Sequence, residues 1–192
     1  MKEVIRVRRG HMNERYYIKC IRKGDHRALD VFIEELYPQV YTFIRHKIQD
    51  DSLAYDLTQD VFIRFIRALP TYKSEGKVLN YLYTIASRVC LSYYKTQKKD
   101  LEFNDEIIKD VRVDVHENML KHITQEQLQA LIYSLKSQYQ DILILKYFQG
   151  YTFKEISKMY HIPESTVKTR HYQALKQLKK LMEGDEKNAI SY

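Results

Sequence analysis

Hydrophobic residues recur along this chain at steps of three and four, the period of amphipathic α-helices. Tyr17, Ile18 and Ile21 form a first stripe, which stops at Gly24-Asp25. Ala28, Leu29, Phe32, Ile33 and Leu36 form the next, up to Pro38, and Val40, Tyr41, Phe43, Ile44 and Ile48 continue with helical spacing. The pattern predicts two helices between residues 14 and 48. After a break at Asp51-Ser52, residues 53–69 read as another helix. Leu57, Val61, Phe62, Phe65, Ile66 and Leu69 line its broad apolar side and leave Asp56, Gln59, Asp60, Arg64 and Arg67 for the other. Pro70 and the polar run at 73–77 end it in a loop. Residues 78–99 carry a further stripe of Leu79, Leu82, Ile85, Ala86, Val89 and Cys90. Two shorter helices are predicted over 125–135 and 138–148, with Leu128, Leu131, Ile132 and Leu135 facing Ile142, Leu143, Leu145 and Phe148, and Gly150 closing the second.

The stretch 152–181 has its own punctuation. Thr152 and Glu155 have capping-box spacing, so each side chain can satisfy the other's backbone N–H at a helix start. Ile156, Met159 and Tyr160 supply that helix with an apolar stripe, and Ser157 is small enough for a second helix to approach closely. His161-Ile162 makes a tight turn, with His among the residues less averse to positive φ. Pro163 starts the next helix, where a missing N–H costs little. Val167, Leu175 and Leu178 would dock that helix. Its other face offers Ser165, Lys168, Thr169, Arg170, Tyr172 and Gln173, which are hydrogen-bonding or cationic groups suited to the major groove of DNA. The plainer alternative is a helical hairpin with a solvated basic face.

Composition narrows the class. With 192 residues, 44% hydrophobic, five Gly and three Pro, the chain reads as all-α with room for one domain or two small ones. A formal net charge of +7 favours an anionic partner. No apolar run reaches membrane-spanning length and no signal peptide opens the chain, so a cytoplasmic protein without membrane insertion is expected. Cys20 and Cys90 lack metal-site spacing and read as buried reduced thiols. The seven His pair with no recognisable nucleophile or ligand set, so no catalytic residue, metal or cofactor is expected.

Charge divides the chain. Residues 1–99 carry 19 basic and 11 acidic side chains, residues 100–124 carry three and seven, and residues 125–192 carry ten and seven. The acidic middle reads as a flexible linker. It joins two small helical domains, 12–99 and 125–183, the second a four-helix domain with the helix-turn-helix. Residues 1–11 are a basic, patternless extension that a start at Met12 would leave out, and 184–192 form a polar tail. Within 78–99, Tyr81, Tyr83, Tyr93 and Tyr94 are interleaved with Arg88, Lys95, Lys98 and Lys99. Aromatics can stack on exposed bases while cations hold the backbone. Equally, the tyrosines can cap a core edge above a solvated helix end, Tyr83 above all.

Four local patterns, in order, resemble those of bacterial sigma factors of the extracytoplasmic-function group, the smallest sigma-70 relatives. Ile21-Arg22-Lys23-Gly24-Asp25 with Ala28-Leu29 is similar to the family's opening helix break. Asp56-Leu57-Thr58-Gln59-Asp60-Val61-Phe62 is similar to its D-L-T-Q-[DE]-V-F helix. Tyr81-Leu82-Tyr83-Thr84-Ile85-Ala86 is similar to its W-L-Y-x-I-A segment, and Ile162-Pro163-Glu164-Ser165-Thr166-Val167-Lys168-Thr169-Arg170 to its I-P-x-G-T-V-K-[ST]-R.

The resemblance implies an alternative sigma factor, not an enzyme, that binds core RNA polymerase and directs initiation at specific promoters. Residues 12–99 would be region 2, with Asp56, Gln59, Asp60, Phe62 and Arg64 meeting the β′ clamp helices. Tyr81, Arg88, Ser92, Tyr93, Lys95, Lys98 and Lys99 would lie against the −10 element. Residues 125–183 would be region 4 on the β flap, with Ser165, Thr166, Lys168, Thr169, Arg170, Tyr172 and Gln173 reading the −35 element. An anti-sigma factor is a further partner common in the family. The sequence departs from the family pattern at Tyr81, where Trp is usual, and at Arg88 and Ser92, where Asn and Asp are frequent, so an unusual −10 preference is expected. The alternative reading is a stand-alone helix-turn-helix regulator, with 12–99 as a sensor or dimerisation domain.

Overall fold

The computed structural model describes residues 13–73, 77–97 and 125–189, and all their regular structure is helical. The first half comprises α1 (Glu14–Arg22), α2 (His26–Arg45), α3 (Asp51–Ala68) and α4 (Val78–Gln97). Short polar side chains set the first three starts: Asn13, Asp25 and Asp50 accept from the backbone N–H of Tyr16, Ala28 and Leu53 at 3.2, 3.0 and 2.9 Å. Gly24, at φ +87°, makes the break between α1 and α2, a conformation open to glycine at little cost. Pro38 lies inside α2, and the helix continues past it.

The second half comprises α5 (Gln125–Tyr133), α6 (Ser137–Leu143), a π-helical turn (Ile144–Phe148), α7 (Phe153–Tyr160) and α8 (Glu164–Ala189). The sequence pattern predicts an unbroken helix across 138–148; the wider turn instead shifts the register, and residues 139–145 are all buried. Residues 139–145 are covered because α4, α5 and α8 all pack against α6. The acidic stretch 100–124 read as the linker, like residues 1–11 and Lys98 and Lys99, lies outside the described residues.

The two halves share one continuous core, from Ile18 and Phe32 through Leu82 and Ala86 to Ile132, Ile156 and Leu178. At their junction, α4 packs on α6 and α7. Lys47, just beyond α2 and 0% exposed, donates through Nζ to Asp141 Oδ1 at 2.5 Å and to Ser137 Oγ at 2.9 Å. Ser137 and Asp141 lie four apart on α6 and therefore share a face. The other carboxylate oxygen of Asp141 accepts from Ser87 of α4 at 2.6 Å. Around this centre Tyr83 donates to Gln149 at 2.8 Å, Tyr133 to the Arg45 carbonyl at 2.9 Å, and Gln129 to the His46 carbonyl at 2.9 Å. A buried ammonium needs a counter-charge and further partners, and Lys47 has both.

His46 also sits at this junction, its Nδ1 against the Gln129 amide oxygen and its ring 3.9 Å from that of Phe148. Burial, with a smaller contribution from Arg45, holds the imidazole below its ordinary 6.5, against the opposing hydrogen bond to Gln129. The folded protein therefore favours neutral His46, whereas an unfolded chain takes up the proton near 6.5. The stabilisation is present above that value and is lost as pH falls through the lowered folded value. Thermal melts at about pH 7.5 and about pH 5.5 will show a larger loss for the wild type than for His46→Gln; equal losses would contradict this.

Candidate nucleic-acid interface

The helix-turn-helix is held by local hydrogen bonds at each joint. Thr152 Oγ1 accepts from Glu155 N–H at 3.3 Å, and the Glu155 carboxylate accepts from Thr152 N–H at 2.8 Å, which completes the capping box. His161 ends α7 in the left-handed region at φ 54°. Ser157 then clips the turn from both sides: its carbonyl accepts from Ile162 N–H at 3.1 Å, and its hydroxyl donates to the Ile162 carbonyl at 2.6 Å. Pro163 stands one residue before α8, and its carbonyl accepts the first helical bond, from Val167 N–H at 3.2 Å.

One face of α8 is core. Val167, Ala174, Leu175 and Leu178 are buried, as is His171, whose Nε2 lies 2.9 Å from the Tyr147 hydroxyl. The opposite face carries the residues expected to read DNA. Ser165, Lys168 and Thr169 are exposed, and Thr166, Arg170, Tyr172 and Gln173 are half-buried. Lys168 is paired with Glu164 at 2.7 Å, an exposed i,i+4 contact of small stabilising value. Its ammonium holds the Glu164 carboxyl below the usual range. Ser165, Thr166, Thr169, Arg170 and Gln173 line a shallow groove with Gln138 of α6. Gln138 was not among the expected readers, because it belongs to a different helix.

Of the second expected DNA set, Tyr81, Arg88, Ser92, Tyr93 and Lys95 lie on α4. Arg88, Ser92 and Lys95 are exposed, and their steps of four and three make one polar stripe. Tyr81 is half-buried against Tyr72, with ring centroids 5.0 Å apart, and Tyr93 is half-buried beside Tyr94 at 5.9 Å. Two tyrosines of the same stretch are structural. Tyr83 is fully buried across the junction, and Tyr94 donates to the Lys47 carbonyl at 2.5 Å, its phenol pushed up to about 12 by burial.

On α3, Asp56, Gln59 and Arg64 are exposed and Asp60 is half-buried. Arg64 Nε reaches both Asp60 oxygens at 3.0 Å, fixing the two side chains as one patch. Phe62 corrects the expected contact set. It is 4% exposed and its ring stacks 5.9 Å from that of Tyr37, so it props the helix from within and offers no surface to a partner. Instead, Ile63 at 47% and Tyr55 at 51% exposure lie among the polar groups. The sequence signal was available: Ile63 falls at a position that the helical period assigns to the polar side.

The two cysteines are unpaired, Cys20 half-buried and Cys90 buried, with the Cys90 thiol pushed up to about 11 by its burial. Among the described residues no cluster of His, Cys, Asp and Glu could hold a metal, and no helix is long and apolar enough to cross a membrane.

The family description "Sigma-70 region 2" matches residues 32–100, and "Sigma-70, region 4" matches residues 125–178. The chain is 32% identical over 162 residues to the RNA polymerase sigma factor SigZ of Bacillus subtilis, covering 79% of this chain and 88% of that protein. It is 24% identical over 163 residues to the extracytoplasmic-function (ECF) sigma factor SigX of the same organism, covering 81% and 84%. In fold it is similar to the sigma factor RpoE of Bartonella quintana, solved in complex with the anti-sigma factor NepR, with a TM-score of 0.59, 17% identity, and 81% and 96% of the two chains covered. The chain therefore belongs to the sigma-70 family, within its extracytoplasmic-function group.

Proposed function

We infer that this chain is an alternative sigma factor acting inside the cell, where it recruits core RNA polymerase to promoters and helps open them. The helices of residues 13–97 would hold the polymerase and the −10 element, and those of residues 125–182 the −35 element. The observation that carries the reading is the polar face of α8, clipped to α7 by Ser157 and lined by Ser165, Thr169 and Arg170, in a chain that also presents the Arg88–Ser92–Lys95 stripe on α4. A stand-alone regulator needs only the first of these surfaces.

Each surface has a physical task and none involves bond chemistry. Cations on α4 and α8 neutralise phosphates, which makes binding salt-dependent. Side chains on α8 meet base edges in the major groove. At the −10 element, unstacking a base costs a few kcal/mol, which stacking and pocket contacts can return. Tyr81 and Tyr93 present partly open rings beside that stripe for the purpose. Tyr55 and Ile63 are exposed one turn either side of Gln59, with Asp56 and Asp60 beside them; apolar groups set among polar ones suit a protein contact, and we assign this face of α3 to the polymerase clamp. An anti-sigma factor, the partner in the Bartonella quintana complex, is a candidate regulator here too.

The reading also requires movement. Elements named −35 and −10 stand about 25 base pairs apart, roughly 85 Å of B-form duplex. Both α4 and α8 pack on α7, which brings their axes within about 20 Å of each other. Reading both elements on one duplex demands that the halves separate, and the 27 residues from 98 to 124 can span at most about 100 Å.

Co-purification with core polymerase tests the α3 assignment. Ile63→Glu and Asp60→Lys will each reduce retention by about tenfold or more while helical content stays at the wild-type level. Unchanged retention of both variants would contradict it.

A further inference from the structure

We propose that Tyr139, a residue of α6 outside the reading helix, positions Gln173 and so sets which base edge that glutamine selects. The proposal rests on Gln173 being one of the −35 readers. Tyr139 is 7% exposed, and its hydroxyl donates to Gln173 Oε1 at 2.6 Å. Gln173 lies one helical turn beyond Thr169 and two beyond Ser165, on the same face of α8, and lines the groove with both.

The direction of this hydrogen bond follows from what each group must satisfy. A buried phenol carries a proton that needs an acceptor, and an unsatisfied buried donor is costly. Of the two ends of the Gln173 amide, only the oxygen can accept that proton. The oxygen is therefore turned toward Tyr139 and the NH2 group away from it.

That orientation has a consequence for recognition. An amide free to rotate can present its oxygen and nitrogen together to adenine N7 and N6, the usual bidentate pairing of glutamine. With the oxygen held back on Tyr139, Gln173 leads with hydrogen-bond donors. Guanine offers two acceptors side by side in the major groove, O6 and N7, whereas adenine sets a donor beside its one acceptor. The held amide thus favours guanine over adenine at the base pair it meets. Tyr139 is a positioning residue: it touches Gln173 and need not touch DNA.

The test uses the full chain with core polymerase on a promoter library in which every −35 position is varied. Gln173→Ala should flatten the preference at one base pair. Tyr139→Phe, which keeps the ring and removes only the hydroxyl, should lower guanine-over-adenine discrimination at that same pair about fivefold, with the other positions and polymerase binding unchanged. If Gln173→Ala alters one position and Tyr139→Phe leaves it untouched, the positioning role is overturned. If Gln173→Ala alters no position, the assignment of Gln173 as a reader fails first. A measurement on the wild type stands apart from any variant's folding: its Gln173 side-chain amide should be motionally restricted by nuclear magnetic resonance without DNA, and a freely rotating amide overturns the proposal.

Discussion

Lys47→Ala will loosen the two halves of the molecule, with a cost to the docked arrangement of about 3–5 kcal/mol. The lysine is fully buried, and its removal strands the Asp141 carboxylate without a counter-charge. Ser87, at 2.6 Å from the other carboxylate oxygen, offsets only part of that loss. Separation rehydrates Asp141, so the variant gains more from opening than the wild type does. Small-angle scattering should report a compact wild type and an expanded variant, with helical content retained within each half. The pair Lys47→Met with Asp141→Asn should restore compactness, because buried ion pairs are often replaceable by neutral groups of similar shape. A Lys47→Ala variant that stays as compact and as stable as the wild type would refute this account of the junction.

Arg170→Ala will weaken promoter recognition by about 1–3 kcal/mol, roughly 5- to 150-fold, and relax selectivity at one −35 position. Arg170 is half-buried in the groove between α6 and α8, where a guanidinium can meet a base edge in two places. Lys168→Ala is a contrasting case. Its ammonium is exposed and shared with Glu164, so its loss should lower affinity evenly across sequences and reduce the salt slope by about one. Neither change touches α3, so retention on core polymerase should stay at the wild-type level. Loss of that retention in parallel with promoter binding would mean that α8 serves another purpose.

Much of this was legible in the chain, for reasons that differ by feature. Helix placement followed from apolar periodicity, and caps such as Asp25, Asp50 and Thr152 did what short polar side chains do at helix starts. The exposed polar face of α8 was legible because the stripe of Val167, Leu175 and Leu178 fixes which side of the helix docks. The junction was not legible. Lys47 and Asp141 are 94 positions apart, and periodicity within a helix carries no information on which distant helix it meets. A lysine amid Phe43, Ile44 and Ile48, and an aspartate opening the run Asp141-Ile142-Leu143-Ile144-Leu145, were charges at apolar positions, and they marked the place without naming the partner. Phe62 was misplaced for a related reason. A motif match transfers the whole segment, but the helical period puts Phe62 inside and Ile63 outside.

Reconstituted run-off transcription tests the central claim most directly. Core polymerase supplemented with this protein, on DNA enriched for the elements the protein selects, should give a defined transcript that core polymerase alone does not produce. That transcript should fall with Arg170→Ala and with Ile63→Glu for separate reasons, the first at the promoter and the second at the polymerase. Initiation no different from core polymerase alone would contradict the sigma-factor account.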